Sequence, residues 1–306
     1  MLERFRGCLL GVAVGDALGL PLEGAQGPIE VELEALNPGR YSDDTAMTMA
    51  VVESILRVGG LDGDDLAASL AEAYFEEPWR GYGSGPPRIF EMMREGLSWR
   101  ELLDRRVYPG GSKGNGAAMR VAPLGLLFGD DLFDLREKVE VCSRITHSHP
   151  LAVEGAYLQA CAVALASRSD PGRFDRSLFL EALASLCESD EYREKLEGGL
   201  DLLKSSRASP EEVARVLGNG PLALDSVPSA VVSFLAGSSF EDVALRALRL
   251  GGDADTICSM ALALAGALWG EGAIRGEWAE GVEGSARIKA LADGLLTIYR
   301  RRALGR

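Results

Sequence analysis

Histidine is almost absent from this 306-residue chain, which has two, His147 and His149. That leaves little room for a histidine-rich zinc site or a Ser-His-Asp triad. Basic residues are also in short supply: 32 Lys and Arg stand against 46 Asp and Glu, a formal net charge of −14. A protein that tracks nucleic-acid phosphates needs a basic stripe, so direct nucleic-acid binding is not expected. Cysteine is sparse. Cys8, Cys142, Cys161, Cys187 and Cys258 form no Cys-x-x-Cys pair and sit in apolar surroundings, the pattern of buried thiols in a reducing cytoplasm. Long apolar runs are missing too. The longest, Ile257 to Trp269, contains Ser259 and Gly266 and falls short of the roughly 20 residues of a bilayer span. It reads as a core helix, and no membrane attachment is expected. Arg4 and Arg6 before residues 7–15 loosely imitate a secretory signal, but Asp16 closes the run early. The expected location is the cytoplasm.

Alternating Val/Ile/Thr runs are scarce, so a sheet is not expected. What is present is helical patterning. Thr45 to Val58 carries apolar residues at Met47, Val51, Ile55 and Val58. Ala117–Phe128, Leu135–Ile145, Leu151–Ala166, Leu178–Cys187, Pro210–Leu217, Phe240–Leu250, Thr256–Trp269 and Ser285–Arg301 read similarly, rich in Ala and Leu. The 37 glycines cluster between helices, and no Ser/Gly- or Pro-rich linker divides the chain. The expectation is an all-α protein, a single domain over residues 1–306, acting as a monomer.

Two acidic clusters stand directly before helices: Ser42-Asp43-Asp44-Thr45 and Gly252-Asp253-Ala254-Asp255-Thr256. Either alone fits a helix N-cap. Together they offer four carboxylates and three hydroxyls, all hard oxygen ligands. If helix packing joins them, they suit two oxygen-loving cations, Mg²⁺ first and Mn²⁺ next. Left together and buried without cations, the carboxylates would repel by several kcal/mol. Glu23 and Asp16 flank an apolar segment, where an acid needs a partner or a metal. Asp16 is expected to orient its neighbours rather than to ligate. Two glycine loops, Arg80 to Gly85 and Gly110 to Gly116, allow close backbone approach to an anion such as a phosphate, although neither is a Walker A sequence. The His147-x-His149 spacing lacks a third ligand, so His147 is read as a polar loop residue or a ligand contact.

In this order the elements resemble the ADP-ribosylglycohydrolase family, which includes ADP-ribosyl-acceptor hydrolases and dinitrogenase reductase-activating glycohydrolases. They are Gly7-Cys8-Leu9-Leu10-Gly11, Gly15-Asp16-Ala17-Leu18-Gly19, Glu23, Ser42 to Thr45, Gly114 to Arg120, Ile145-Thr146-His147, and Gly252 to Thr256. The resemblance spans nearly the whole chain. It implies a compact orthogonal all-α fold with a binuclear Mg²⁺ centre. It implies metal ligation by Ser42, Asp43, Asp44, Asp253, Asp255, Thr256 and Glu23, with Glu23, Asp43 and Asp255 catalytic. It places Gly81, Tyr82, Gly83, Ser112, Gly114, Asn115, Gly116 and His147 around ADP-ribose. The implied reaction is hydrolysis at C1″ of ADP-ribose carried by a protein or a polymer. Arg80-Gly81-Tyr82-Gly83 and Gly111-Ser112-Lys113-Gly114-Asn115-Gly116 look most like the branch acting on serine-linked ADP-ribose and poly(ADP-ribose). Lys113 replaces that branch's aromatic near the adenine, and Tyr108 is the candidate substitute for that contact. Gly24, where many members carry a bulky residue, keeps arginine-linked substrates as the alternative.

Two rivals are weaker. A terpenoid synthase wants Asp-Asp-x-x-Asp, and Asp43-Asp44 is followed by Thr45-Ala46-Met47. A non-catalytic ADP-ribose binder on the same fold should have lost acidic ligands, whereas every matched ligand position is filled.

Overall fold

A computed structural model describes residues 1–102 and 107–304. Positions 103–106 and the last two of the expected 1–306 domain lie outside the described residues. Among those described there are helices and turns and no strand, with one isolated bridge between Gly114 and Leu222. The all-α expectation holds.

Most helices stand where patterning put them. Asp43–Val58, Leu132–Arg144, Pro150–Arg168, Pro210–Leu217, Ala254–Trp269 and Ser285–Leu304 match within a few residues. The segment expected as one helix from Ala117 divides into a 3-10 turn, Ala118–Arg120, and a helix, Ala122–Phe128, with Pro123 in its first turn. Proline fits a first turn but breaks an interior, which explains the division. Helices at Leu2–Gly19, Gly63–Glu76, Gly85–Arg94, Asp190–Lys204 and Ala223–Ala236 add to the expected set.

The core is built on the Ala254–Trp269 helix, buried on every side from Ala254 to Leu268. It packs against Leu2–Gly19, Pro150–Arg168, Ala223–Ala236 and Phe240–Leu248. Its closest partner is the first helix, likewise buried all round from Gly7 to Gly19. The two run antiparallel, because Gly7 meets Gly266 and Gly270 whereas Gly19 meets Asp255. Gly7, Gly11, Gly15 and Gly19 form one face, one glycine per turn. A Cβ on Gly11 would sit 2.1 Å from the Leu262 carbonyl oxygen, and one on Gly15 would sit 2.5 Å from that of Cys258. So part of the glycine excess serves backbone-to-backbone packing inside a helix pair, not loops. Leu2–Leu22 and Pro150–Arg168 are long and apolar enough to cross a membrane by length and composition, but 78% and 83% of their apolar windows are buried within the protein. All five cysteines are buried and unpaired.

This pairing sets up the site. The first helix ends at Gly19, beside the start of the Ala254–Trp269 helix, and delivers Glu23 three residues past a short 3-10 turn's first residue, Leu20. The Asp43–Val58 helix, braced by Gly63–Glu76 and Ser285–Leu304, brings its own N-terminus to the same place.

Candidate active site

These three segments line one cleft of about 510 Å³. Glu23, Asp43, Asp44, Asp253, Asp255 and Thr256 form part of its wall. Gly81, Gly83, Ser112, Gly114, Asn115, Gly116 and His147 line it as well. Of the residues expected to hold metal or ADP-ribose, Ser42 and Tyr82 are not in this lining.

Ser42 is the N-cap of the Asp43–Val58 helix. Its Oγ accepts from the Asp44 amide and donates to Asp44 Oδ2, both at 3.2 Å. The capping function thus falls to the serine, leaving both aspartates of the motif free for other work. Asp253 occupies the N-cap position of the second acidic helix, yet its side chain makes no capping bond. It accepts instead from Asn115 Nδ2. Thr256 Oγ1 donates to Asp44 Oδ2 at 3.3 Å, which ties the two acidic segments together.

Asp16 holds the first of these segments. Fully buried, it accepts from the Ser42 amide at 2.8 Å, the Thr45 amide at 3.0 Å and Thr45 Oγ1 at 2.5 Å. It orients the turn, as expected. An Asp16→Asn change turns one acceptor oxygen into a donor facing an N–H. It should lower stability by about 1–3 kcal/mol and cation affinity by about tenfold. Cation titration by calorimetry and a urea melt check both; wild-type cation affinity would show that the turn holds without it. Arg80 is a second brace. Its buried guanidinium lies 4.0 Å over the Tyr41 ring, bonds Glu77, Glu283 and the Tyr41 carbonyl, and its own carbonyl accepts from the Asp43 amide at 2.8 Å.

The acids crowd one another. Burial, then Asp16, pushes the Asp43 carboxyl up to about 8. Burial, then Asp253 and Glu23, pushes Asp255 up to about 8. Asp44 is raised well above its ordinary range by burial and by Asp16 and Asp255. One oxygen of each of Glu23, Asp253 and Asp255 falls within 4.8 Å of the others. Asp44 Oδ1 and Asp255 Oδ1 are buried with no hydrogen-bond partner. Two bare, buried carboxylate oxygens on facing segments are costly unless a cation joins them. The donor set is all oxygen, which fits a hard divalent ion.

The glycine walls behave differently from a simple anion cradle. Behind the first loop the helix starts Gly85-Pro86-Pro87, so two first-turn N–H donors are missing. In the second loop, the amides of Gly111, Gly114 and Asn115 are engaged by Tyr108 O, Ser112 Oγ and Pro221 O. Glycine is nevertheless required at two points: Gly111 has a positive φ, and a Cβ on Gly116 would sit 2.6 Å from His147 Cε1. His147 is neutral, its pKa lowered to about 3 by burial and then by nearby Arg120, and its Nδ1 lies 2.8 Å from Thr146 Oγ1. His149 caps the Pro150–Arg168 helix by accepting from the Leu151 amide, which commits its Nδ1 to the backbone. Tyr82 packs edge-on against Tyr74, with ring centroids 5.1 Å apart. Tyr108 and Lys113 face the cleft, and Tyr108 Oη bonds Ser84 Oγ at 2.9 Å. Pro221 and Leu222 were not foreseen in the lining.

Comparison with known proteins places the chain in a family. The family model described as ADP-ribosylglycohydrolase matches residues 1–304. ADP-ribosylhydrolase ARH3 of Homo sapiens is 32% identical over 346 residues, which covers 98% of this chain and 94% of that protein. The Gallus gallus protein of that name is 33% identical, with 97% and 93% covered. A solved structure titled "ADP-ribosylglycohydrolase-related protein complex" superposes with a TM-score of 0.77 at 28% identity, covering 97% of this chain and 98% of its own. The chain belongs to the ADP-ribosylglycohydrolase family and is a hydrolase acting on glycosidic bonds of ADP-ribose.

Proposed function

We propose that this chain acts in the cytoplasm, as one domain and a monomer, to release ADP-ribose from serine side chains or from poly(ADP-ribose). In this reading it depends on two Mg²⁺ ions, with Mn²⁺ as substitute. The observation that carries the cation requirement is the pair of bare buried oxygens, Asp44 Oδ1 and Asp255 Oδ1, on segments linked by Thr256. Asp43, Asp44, Asp253, Asp255, Thr256 and Glu23 would hold the ions, with Ser42 capping the segment that carries two of them. When bound, the cations would supply Lewis acidity and positive charge.

The chain's own residues do the rest. Asp16 and Arg80 keep the first acidic turn rigid, so its oxygens need no reorganisation. Glu23 is exposed at the cleft wall and is free to orient a water toward C1″ or to assist the leaving oxygen. In the net reaction water adds at C1″, the bond from C1″ to the acceptor oxygen breaks, and the serine hydroxyl regains a proton. His147, neutral at working pH, offers a hydrogen bond rather than a charge beside the sugar. Lys113 supplies a positive side chain in a lining otherwise rich in acids, where a diphosphate needs one. Tyr108 offers a ring to the adenine.

The loop sequences Arg80 to Gly83 and Gly111 to Gly116 support the serine and polymer preference. Release of ADP-ribose from serine-linked, arginine-linked and polymeric substrates, with and without EDTA, tests it. Serine-linked or polymeric release should exceed arginine-linked release by about tenfold or more, a difference of about 1.4 kcal/mol, and EDTA should abolish it. Faster release from arginine would replace the preference, and full activity in excess EDTA would remove the cation requirement.

A further inference from the structure

A buried serine outside the motifs completes the acidic centre. Asn115 Nδ2 has two hydrogens, and both are used: one goes to Asp253 and the other to Ser226 Oγ at 3.1 Å. Ser226 is fully buried near the start of the Ala223–Ala236 helix, and its hydroxyl donates to the Leu222 carbonyl at 3.1 Å. The hydroxyl hydrogen is therefore committed to Leu222, and a lone pair is turned toward Asn115. A carboxamide anchored this way cannot flip without losing two hydrogen bonds. It presents a fixed donor to Asp253 and so holds that carboxylate in one orientation. The same short segment pins the loop on its other side: the Asn115 amide donates to Pro221 O and the Ala223 amide to Lys113 O, each at 3.0 Å.

We propose that Ser226 is a positioning residue that acts through Asn115 to aim Asp253 at the bound cation. Asn115 then belongs to the support of the acidic centre as well as to the cleft wall. The proposal rests on the cation reading of the site given above.

Without its acceptor, the Asn115 carboxamide can rotate, and Asp253 loses its fixed partner. Outer partners of metal ligands typically contribute 10–100-fold to affinity. Ser226→Ala should therefore weaken Mg²⁺ binding about tenfold, read by calorimetry on the whole protein with Mg²⁺ alone. Half-maximal activity should move to correspondingly higher Mg²⁺, with kcat recovered at saturation. Ser226→Thr, which keeps the hydroxyl, should restore affinity. Ser226→Ala added to Asn115→Ala should change little, since both break one relay. Wild-type Mg²⁺ affinity in a folded Ser226→Ala protein, or fully additive losses in the double variant, would overturn the proposal. If Ser226→Ala does not fold, the Thr variant and Asn115→Ala carry the test: loss of affinity in Asn115→Ala but not in Ser226→Thr supports it, and the reverse overturns it. A wild-type protein that binds no Mg²⁺ would instead overturn the cation reading itself.

Discussion

Asp255→Asn is expected to lower turnover by about a hundredfold or more, since even outer partners of metal ligands are worth 10–100-fold. Cation affinity should fall with it, while the metal-free protein becomes more stable. The two signs differ because this carboxylate does opposite things in the two states. With no cation, Asp255 faces Asp253 and Glu23 within 4.8 Å and leaves Oδ1 buried and bare. Each fully ionised pair at that separation opposes folding by roughly 3 kcal/mol at an effective dielectric near 20. Replacing one acid by a neutral isostere relieves part of that. The pH dependence follows from the same crowding. Burial, helped by Asp253 and Glu23, pushes Asp255 up to about 8. A carboxyl raised in the folded state favours folding fully below its unfolded pKa, near 4, and that advantage is lost as pH rises toward 8. In EDTA the melting temperature should fall across that window, and saturating Mg²⁺ should restore it. In Asp255→Asn the fall should be smaller. Scanning melts at several pH values, with and without Mg²⁺, measure all of this. A melting temperature in EDTA that rises between pH 5 and 8, or wild-type turnover in the variant, would sink the account.

How much of this site the sequence displayed depends on distance along the chain. Each acidic motif is contiguous, so its carboxylates and hydroxyls are legible as one ligand group; only their meeting in space needs the fold. Asp16 was visible as an acid in apolar surroundings, but its three bonds to the turn at Ser42 and Thr45 were not. Ser226 gave no local signal, because a serine in an apolar helix has several uses, and its partner lies 111 positions away. The fold shows the same contrast. Helices with one wet face, such as Asp43–Val58, betray themselves by periodicity. Leu2–Gly19 is buried all round from Gly7 onward and has no such face, so its sequence loosely imitates a signal run instead of displaying a helical period. Its four glycines at intervals of four were there to be counted. Glycine is ordinarily poor in helices, so propensity alone does not announce a glycine face as a helix-packing surface.

That glycine face carries the other large expected effect. In an exposed helix Gly→Ala gains about 1 kcal/mol of helix propensity. At Gly15 the sign should reverse. The new methyl would sit 2.5 Å from the Cys258 carbonyl oxygen and 2.6 Å from Ser259 N, backbone atoms that cannot rotate away. The two helices must separate, which opens gaps along an interface made of close contacts. Overpacking of this kind typically costs 1–3 kcal/mol. With backbone on both sides, about 3 kcal/mol or more is expected, a large share of the 5–15 kcal/mol of an ordinary domain. The damage should also reach function, because Cys258 lies one turn from Asp255 and the displaced helix carries Asp253, Asp255 and Thr256. Gly15→Ala should therefore lower the urea midpoint and weaken Mg²⁺ binding together. Gly39→Ala is the control: a Cβ there meets nothing within 4 Å, and its stability should stay within about 0.5 kcal/mol of wild type. Urea melts with matched m-values separate lost stability from altered compactness. A Gly15→Ala protein as stable as wild type would mean that the two helices are not held at backbone contact. The positioning of the acidic centre by the first helix would then have to be abandoned.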